Sequence, residues 1–206
     1  MTLIKKFFRE REESTVSYAA FWDWFRKNER TFFNVVRQGE NVERDFFTKL
    51  SPRLNELKDG FYYLSGMYDD HTAELIITPE GVVKNIVFVE ELIAAAPPIK
   101  GWKFTALKRE MGINDVNLEM GGYKFNGDKM NFFPVNNSMY PDEIDITIVH
   151  DDLNEENKST ITNGSYIFLD NFLGELNFVT TIDNLEVTGK GQAQRELVPI
   201  AKLKDY

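Results

Sequence analysis

The chain has 206 residues with 33 acidic and 24 basic side chains, a net charge of −9, 17 phenylalanines, 8 tyrosines and 3 tryptophans, and no cysteine. Cysteine-free, it has no disulfide scaffold, thiolate metal site or cysteine nucleophile. At about 100 to 200 residues per domain it reads as a single domain, 1–206, or as two intimately packed halves, about 1–110 and 111–206, long enough to bury a substantial core.

The opening MTLIKKFFREREE has basic residues but no apolar stretch leading to a small-residue cleavage site, and no later apolar run approaches the ~20 residues that span a bilayer. A soluble, cytoplasmic protein with no membrane partner is expected. Charge is unevenly spread. From Glu110 to Thr160 there are 11 acids against Lys124, Lys129 and Lys158, a net of −8. Nucleic-acid binding depends on neutralising phosphates with clustered Lys and Arg, so DNA and RNA are not the expected partners.

Residues 1–13 are dense in charge and predict a frayed or solvated start. From Ser17 to Val36, Tyr18, Phe21, Trp22, Phe25, Phe32, Phe33 and Val36 recur at helical spacing. Gly39 breaks that pattern, and Val42, Phe46, Leu50, Leu54 and Leu57 make a second stripe. Pro52 either kinks this stripe or opens a new turn with Ser51 as its N-cap. Together they predict a helical hairpin.

Beyond Asp59-Gly60 the period becomes that of strands, at Phe61 to Met67 and Ala73 to Thr78, with the polar loop 68–72 between them. Helical spacing returns from Val83 to Ala96 and ends at Pro97-Pro98; Trp102 to Leu107 reads as a third strand. Short strands are predicted at Val116 to Met120, Tyr123 to Phe125 and Met130 to Phe133, with Gly121-Gly122 and Asn126-Gly127-Asp128 as turns. Alternation of Ile144, Ile146 and Ile148 with Asp145 and Thr147 predicts a half-buried strand. Asp151 to Thr160 reads as a polar loop, followed by a helix capped by Thr162 or Asn163 and running to about Leu173. Strands near Phe178 to Thr181 and Leu185 to Thr188, a turn at Gly189-Lys190-Gly191 and a final helix from about Leu197 complete the chain. The order predicts an α+β fold: a mainly antiparallel sheet covered by the N-terminal hairpin and further helices, with Trp22, Phe25, Phe46, Ile86 and Trp102 in the core.

Both histidines adjoin aspartate pairs, in Asp69-Asp70-His71 and His150-Asp151-Asp152. Imidazole with carboxylates is a mixed ligand set for Zn, Mn or Fe, so if any metal were held, Asp70, His71, His150 and Asp152 would be its ligands. Adjacent aspartates are also ordinary turn formers, and no HExxH spacing fixes the histidines on one helical face. No metal or other cofactor is therefore expected. Phe21-Trp22-Asp23-Trp24-Phe25 would serve as an aromatic platform if exposed, but its spacing suits a buried helix face. No nucleophile elbow, phosphate loop or dinucleotide fingerprint is present.

The segments FWDWFRKNERTFF, GMYDDHTAELIITPEGVVKNIVFVEELIAAAPPIKGWKFTALKR, DEIDITIVHDDL and FLDNFLGELNFVTTIDNLEV resemble a family of bacterial proteins of unassigned activity. Its members pair an FWxWF-type opening helix with an AAP helix end preceding a GW strand. The resemblance runs from about Phe21 to Val187. It implies a bacterial source and an α+β fold, and it carries no site residue over.

A net of −8 within one stretch adds self-repulsion that folding does not require, and charge complementarity chiefly speeds and selects encounters. The expected function is a non-enzymatic protein-binding module whose acidic face, with Asp142, Glu143, Asp151 and Asp152, meets a basic protein; a toxin-neutralising immunity protein is one form. The alternative is a metal-dependent hydrolase using the two His/Asp-Asp loops.

Overall fold

The computed structural model of the protein describes residues 17–135, 144–193 and 195–206. The charged start expected at 1–13 lies outside them. The chain divides into two compact units, Met1–Ala106 and Leu107–Tyr206. Each has its own α+β arrangement, and no described helix is long and apolar enough to cross a membrane.

In the first unit, helix α1 (Tyr18–Gln38) starts where the Ser17 hydroxyl accepts the Ala20 N–H at 3.2 Å. It stops at Gly39, whose φ of 68° lets its N–H reach back to the Val35 and Val36 carbonyls. Only glycine adopts that conformation at little cost, which is why the periodic stripe ends there. A π-helical turn (Glu43–Phe47) leads into α2 (Thr48–Leu57). Pro52 lies inside α2, so Ser51 is not a cap; the helix runs through the proline and gives up the one bond its missing N–H would have made.

Strands β1 (Tyr62–Asp69), β2 (Thr72–Thr78) and β3 (Trp102–Ala106) form a sheet in that order, with β1 and β2 antiparallel and β2 and β3 parallel. Helix α3 (Val83–Ala94) makes the crossover between the parallel pair. Helix α1 packs on β1 and β2, and α3 on β2 and β3. Register places Ala73, Leu75 and Ile77 on one face of β2, all fully buried.

The core under these helices is aromatic. Trp22 lies 4.5 Å from Phe104, Phe25 5.0 Å from Trp102, and Phe32 stacks on Phe46 at 4.5 Å, centroid to centroid. Trp22, Phe25, Phe46, Ile86 and Trp102 are all buried, as their spacing predicts. The FWDWF segment is therefore core and not a platform; Trp24, its half-buried member, is covered by the Arg53 guanidinium at 5.7 Å. Both buried indoles find acceptors, Trp22 Nε1 donating to the Leu92 carbonyl at 2.8 Å and Trp102 Nε1 to the Glu29 carbonyl at 3.3 Å.

The second unit holds a hairpin of β4 (Leu118–Met120) and β5 (Tyr123–Phe125) and a four-stranded sheet. Gly121 and Gly122, with φ of 59° and 83°, supply the two left-handed residues of the hairpin turn. The sheet is built from β6 (Met130–Val135), β7 (Ile144–His150), β8 (Ile182–Gly189) and the short β9 (Val198–Pro199), in the order β8-β7-β6-β9. Strand β7 runs antiparallel to β6 and parallel to β8. Ile146 to His150 are all buried, so β7 is covered on both faces and not on one, as alternation suggests.

Helix α4 (Lys158–Leu173) begins before the expected Thr162 or Asn163 cap, and its Phe168, Leu169 and Phe172 join Phe132, Ile146 and Ile148 in one core. Two expectations fail here. Phe178 to Thr181 belong to a short helix, α5 (Glu175–Thr181), and the terminal helix is replaced by β9 and a 3-10 segment, Ile200–Asp205. In α5 the β-branched Val179, Thr180 and Thr181 suggest a strand, but the Glu175 N–H bonds the Lys108 carbonyl and the Phe178 N–H the Gly174 carbonyl, which starts a helix.

Replacing Trp22 with alanine should lower unfolding stability by about 3 to 5 kcal/mol through loss of a large buried aromatic. Trp22→Phe should cost less, about 1 to 3 kcal/mol, because it keeps most of the ring packing but orphans the Leu92 carbonyl. Urea unfolding followed by fluorescence measures both.

Candidate functional site: a carboxylate loop on a buried histidine

His150 ends β7 with its ring fully buried. Its Nδ1 accepts the Asp152 N–H at 3.2 Å, which fixes the proton on Nε2, and Nε2–H donates to the Lys124 carbonyl at 3.0 Å. A backbone N–H only donates and a carbonyl only accepts, so the two partners together select this neutral tautomer. The Phe125 ring packs 5.0 Å from the imidazole.

From this anchor the chain turns outward through residues 151–157 and is tied at each step. The Leu153 N–H bonds the His150 carbonyl at 3.3 Å. The Asn154 carboxamide oxygen accepts the Glu156 and Asn157 N–H groups at 2.9 and 3.2 Å. Asn157, itself buried, accepts the Asn154 N–H at 2.8 Å and donates to the Asp152 carbonyl at 2.8 Å. Two asparagines and one histidine thus satisfy the backbone of a loop that has no sheet partner.

The loop presents Asp151, Asp152, Glu155 and Glu156, all exposed. Lys190 approaches Asp151 at 3.6 Å and Lys129 approaches Asp152 at 3.7 Å, distances at which surface pairs contribute little. Glu155 and Glu156 have no ion pair among the described residues. Asp142 and Glu143, expected on the same face, lie outside the described residues.

The other histidine sits in the first unit. Asp70 and His71 form the exposed two-residue turn between β1 and β2, and the His71 N–H donates to the Asp69 carboxylate at 2.8 Å. Among the described residues no group of three or more His, Cys, Asp or Glu is placed to hold a metal ion. Of the residues named as ligands if any metal were held, His150 has the lone pair of its neutral ring directed to a backbone N–H.

The structural roles of His150, Asn154 and Asn157 are absent from the expectations, in which 151–160 is an unorganised polar loop. The available signal is the spacing of Asn154 and Asn157, since asparagine side chains bond backbone groups two or three residues away. Compared with known proteins, the chain matches no family model, no curated protein and no solved structure.

His150→Ala should destabilise the protein by about 2 to 4 kcal/mol, since it leaves a cavity and an unpaired Lys124 carbonyl. It should also raise hydrogen exchange at the Asp152 and Leu153 amides, read by NMR. Asp69 gives a pH prediction. The His71 N–H bond holds its carboxyl below the ordinary value of 3.8, with smaller help from Thr72. A depressed folded value means that the charged form is favoured in the native turn. That contribution is present above the unfolded value and is lost as pH falls through the folded one. Carboxyl carbon NMR should place the Asp69 midpoint below that of an unfolded peptide of the same sequence.

Proposed function

We propose that the protein is a non-enzymatic binding module that presents the carboxylates of residues 151–157 to a basic protein partner, with an immunity-type inhibitor as one concrete form. The carrying observation is that Asp151, Asp152, Glu155 and Glu156 stand exposed on a loop tied by His150, Asn154 and Asn157. Solubility alone asks for charge and not for a rigid frame. A fixed frame lowers the ordering cost of association, and negative charge in a defined pattern selects and steers a complementary basic surface. Both effects serve binding, and neither needs a reacting group.

The test is capture of proteins from bacterial lysate on the immobilised full chain. It is repeated with a fourfold variant, Asp151→Asn, Asp152→Asn, Glu155→Gln and Glu156→Gln, and at about 0.5 M salt, where exposed charges are screened beyond ~4 to 5 Å. A basic protein retained by the native chain at low salt, and lost both in the variant and at high salt, is the expected result. Retention indifferent to salt and to the four substitutions, or no retention at all, refutes the proposal.

A further inference from the structure

Among the described residues strand β1 is the outer strand of the first unit's sheet, paired with β2. An edge strand presents a row of backbone N–H and C=O groups to any chain that can pair with it, and natural edges are blunted by Lys, Pro, inward charges or a bulge. Tyr62 to Tyr68 contain no charged residue and no proline, and the one register irregularity comes at the far end, between Met67 and Asp69. Tyr62, Leu64 and Tyr68 are 53%, 46% and 56% exposed. On register Tyr62 and Leu64 share one face of the strand, opposite the core-facing Tyr63 and Ser65, and Tyr68 stands at the bulge.

At the start of β1 lies an open groove of about 580 Å³, whose walls include Glu43, Phe47, Asn55, Tyr62, Tyr63 and Glu80. Its floor is aromatic, with Tyr63 edge-on to Phe47 at 4.8 Å. Its charged wall residues are Glu43 and Glu80, and among the described residues no lysine or arginine lines it. Two local irregularities shape it. Glu43 and Phe47 open and close the π-helical turn, a feature frequent at functional sites. Glu80 holds a φ of 49°, uncommon for a residue with a Cβ, while its N–H bonds the Thr78 hydroxyl at 2.9 Å. A groove lined by both carboxylates and aromatic rings suits a cation on an apolar stem, which gains from both charge and ring quadrupole.

The groove and the outer edge of the described sheet meet at Tyr62 and Tyr63. We propose that the first unit binds an extended segment of a protein partner along β1, with a lysine or arginine of that segment seated in the groove between Glu43 and Glu80. Main-chain pairing supplies register-fixed affinity, and the groove supplies selection for the basic residue. This site lies in the first unit and does not depend on the 151–157 loop.

The experiment uses a fluorescein-labelled heptapeptide of alternating valine and threonine with one central lysine, titrated with the full chain and followed by anisotropy. Three changes should each weaken binding at least about tenfold: norleucine for the lysine, the Glu43→Gln/Glu80→Gln double variant, and N-methylation of alternate peptide amides. The two glutamates are exposed, so the double variant should fold, which circular dichroism checks. The 151–157 fourfold variant should bind the peptide unchanged. No binding at millimolar peptide, equal binding of the norleucine peptide, or indifference to the double variant overturns the proposal. So does displacement by spermidine together with indifference to N-methylation, which would mark a small-amine site.

Discussion

A polar atom taken out of water must find a partner inside the protein, and that constraint fixes the key geometry of both units. An unmet donor or acceptor costs about 1 to 3 kcal/mol, a large share of a typical net stability. In the first unit the aromatic core is dispersive and almost directionless, so by itself it would tolerate sliding of α1 over the sheet. The two indole N–H groups remove that freedom. Trp22 reaches the end of α3 and Trp102 reaches the middle of α1, so that helix, helix and strand are pinned at points about two turns apart along α1.

In the second unit the same constraint connects a glycine in a helix to a loop at the surface. Gly164 lies inside α4, where glycine costs about 1 kcal/mol relative to alanine. A Cβ there would stand 2.1 Å from the Phe125 Cζ, so the bare backbone is what lets that ring into the core. Phe125 in turn packs on His150, and His150 holds the Asp152 N–H. The helix-breaking residue, the aromatic and the imidazole form one line of contacts from the core to the carboxylates.

What was legible in the sequence follows from which signals are local. Helix α1, the β1–β2 hairpin and α3 carry their apolar spacing within the segment itself, α1 also its terminating Gly39, and the structure places them within a few residues of expectation. For α5 the sequence signal points the wrong way, because Val179, Thr180 and Thr181 favour strands, whereas its helical start is set by bonds to residues such as Lys108, some 67 positions away. Strand β7 looked half-buried because Asp145 and Thr147 are polar, yet Thr147 and Val149 are buried with Ile146 and Ile148. His150 was read as a candidate ligand for the same reason: imidazole is equally fit to bind a metal or two backbone groups, and only burial decides. The β1 groove has no local signal because its walls come from three stretches of chain, 43–55, 60–63 and Glu80.

The carboxylates of the protein sort into two kinds, and the division bears on what the acidic excess is for. Some are answered within the fold: Asp45 by Arg44 at 2.7 Å, Asp69 by the His71 N–H, Glu74 by Lys103 at 3.1 Å and Asp170 by Lys108 at 2.6 Å. Those pairs lie within a helical turn, a hairpin turn, a strand pair and a loop–helix contact, so their charges are answered locally. Among the described residues Glu155 and Glu156 have no ion pair, and they sit in a loop with three side chains committed to its backbone. A mobile loop would repel itself less, because its charges could spread apart. Holding like charges close on a fixed frame is unfavourable for the free protein, and under the function proposed above that cost would be offset by a surface of opposite charge.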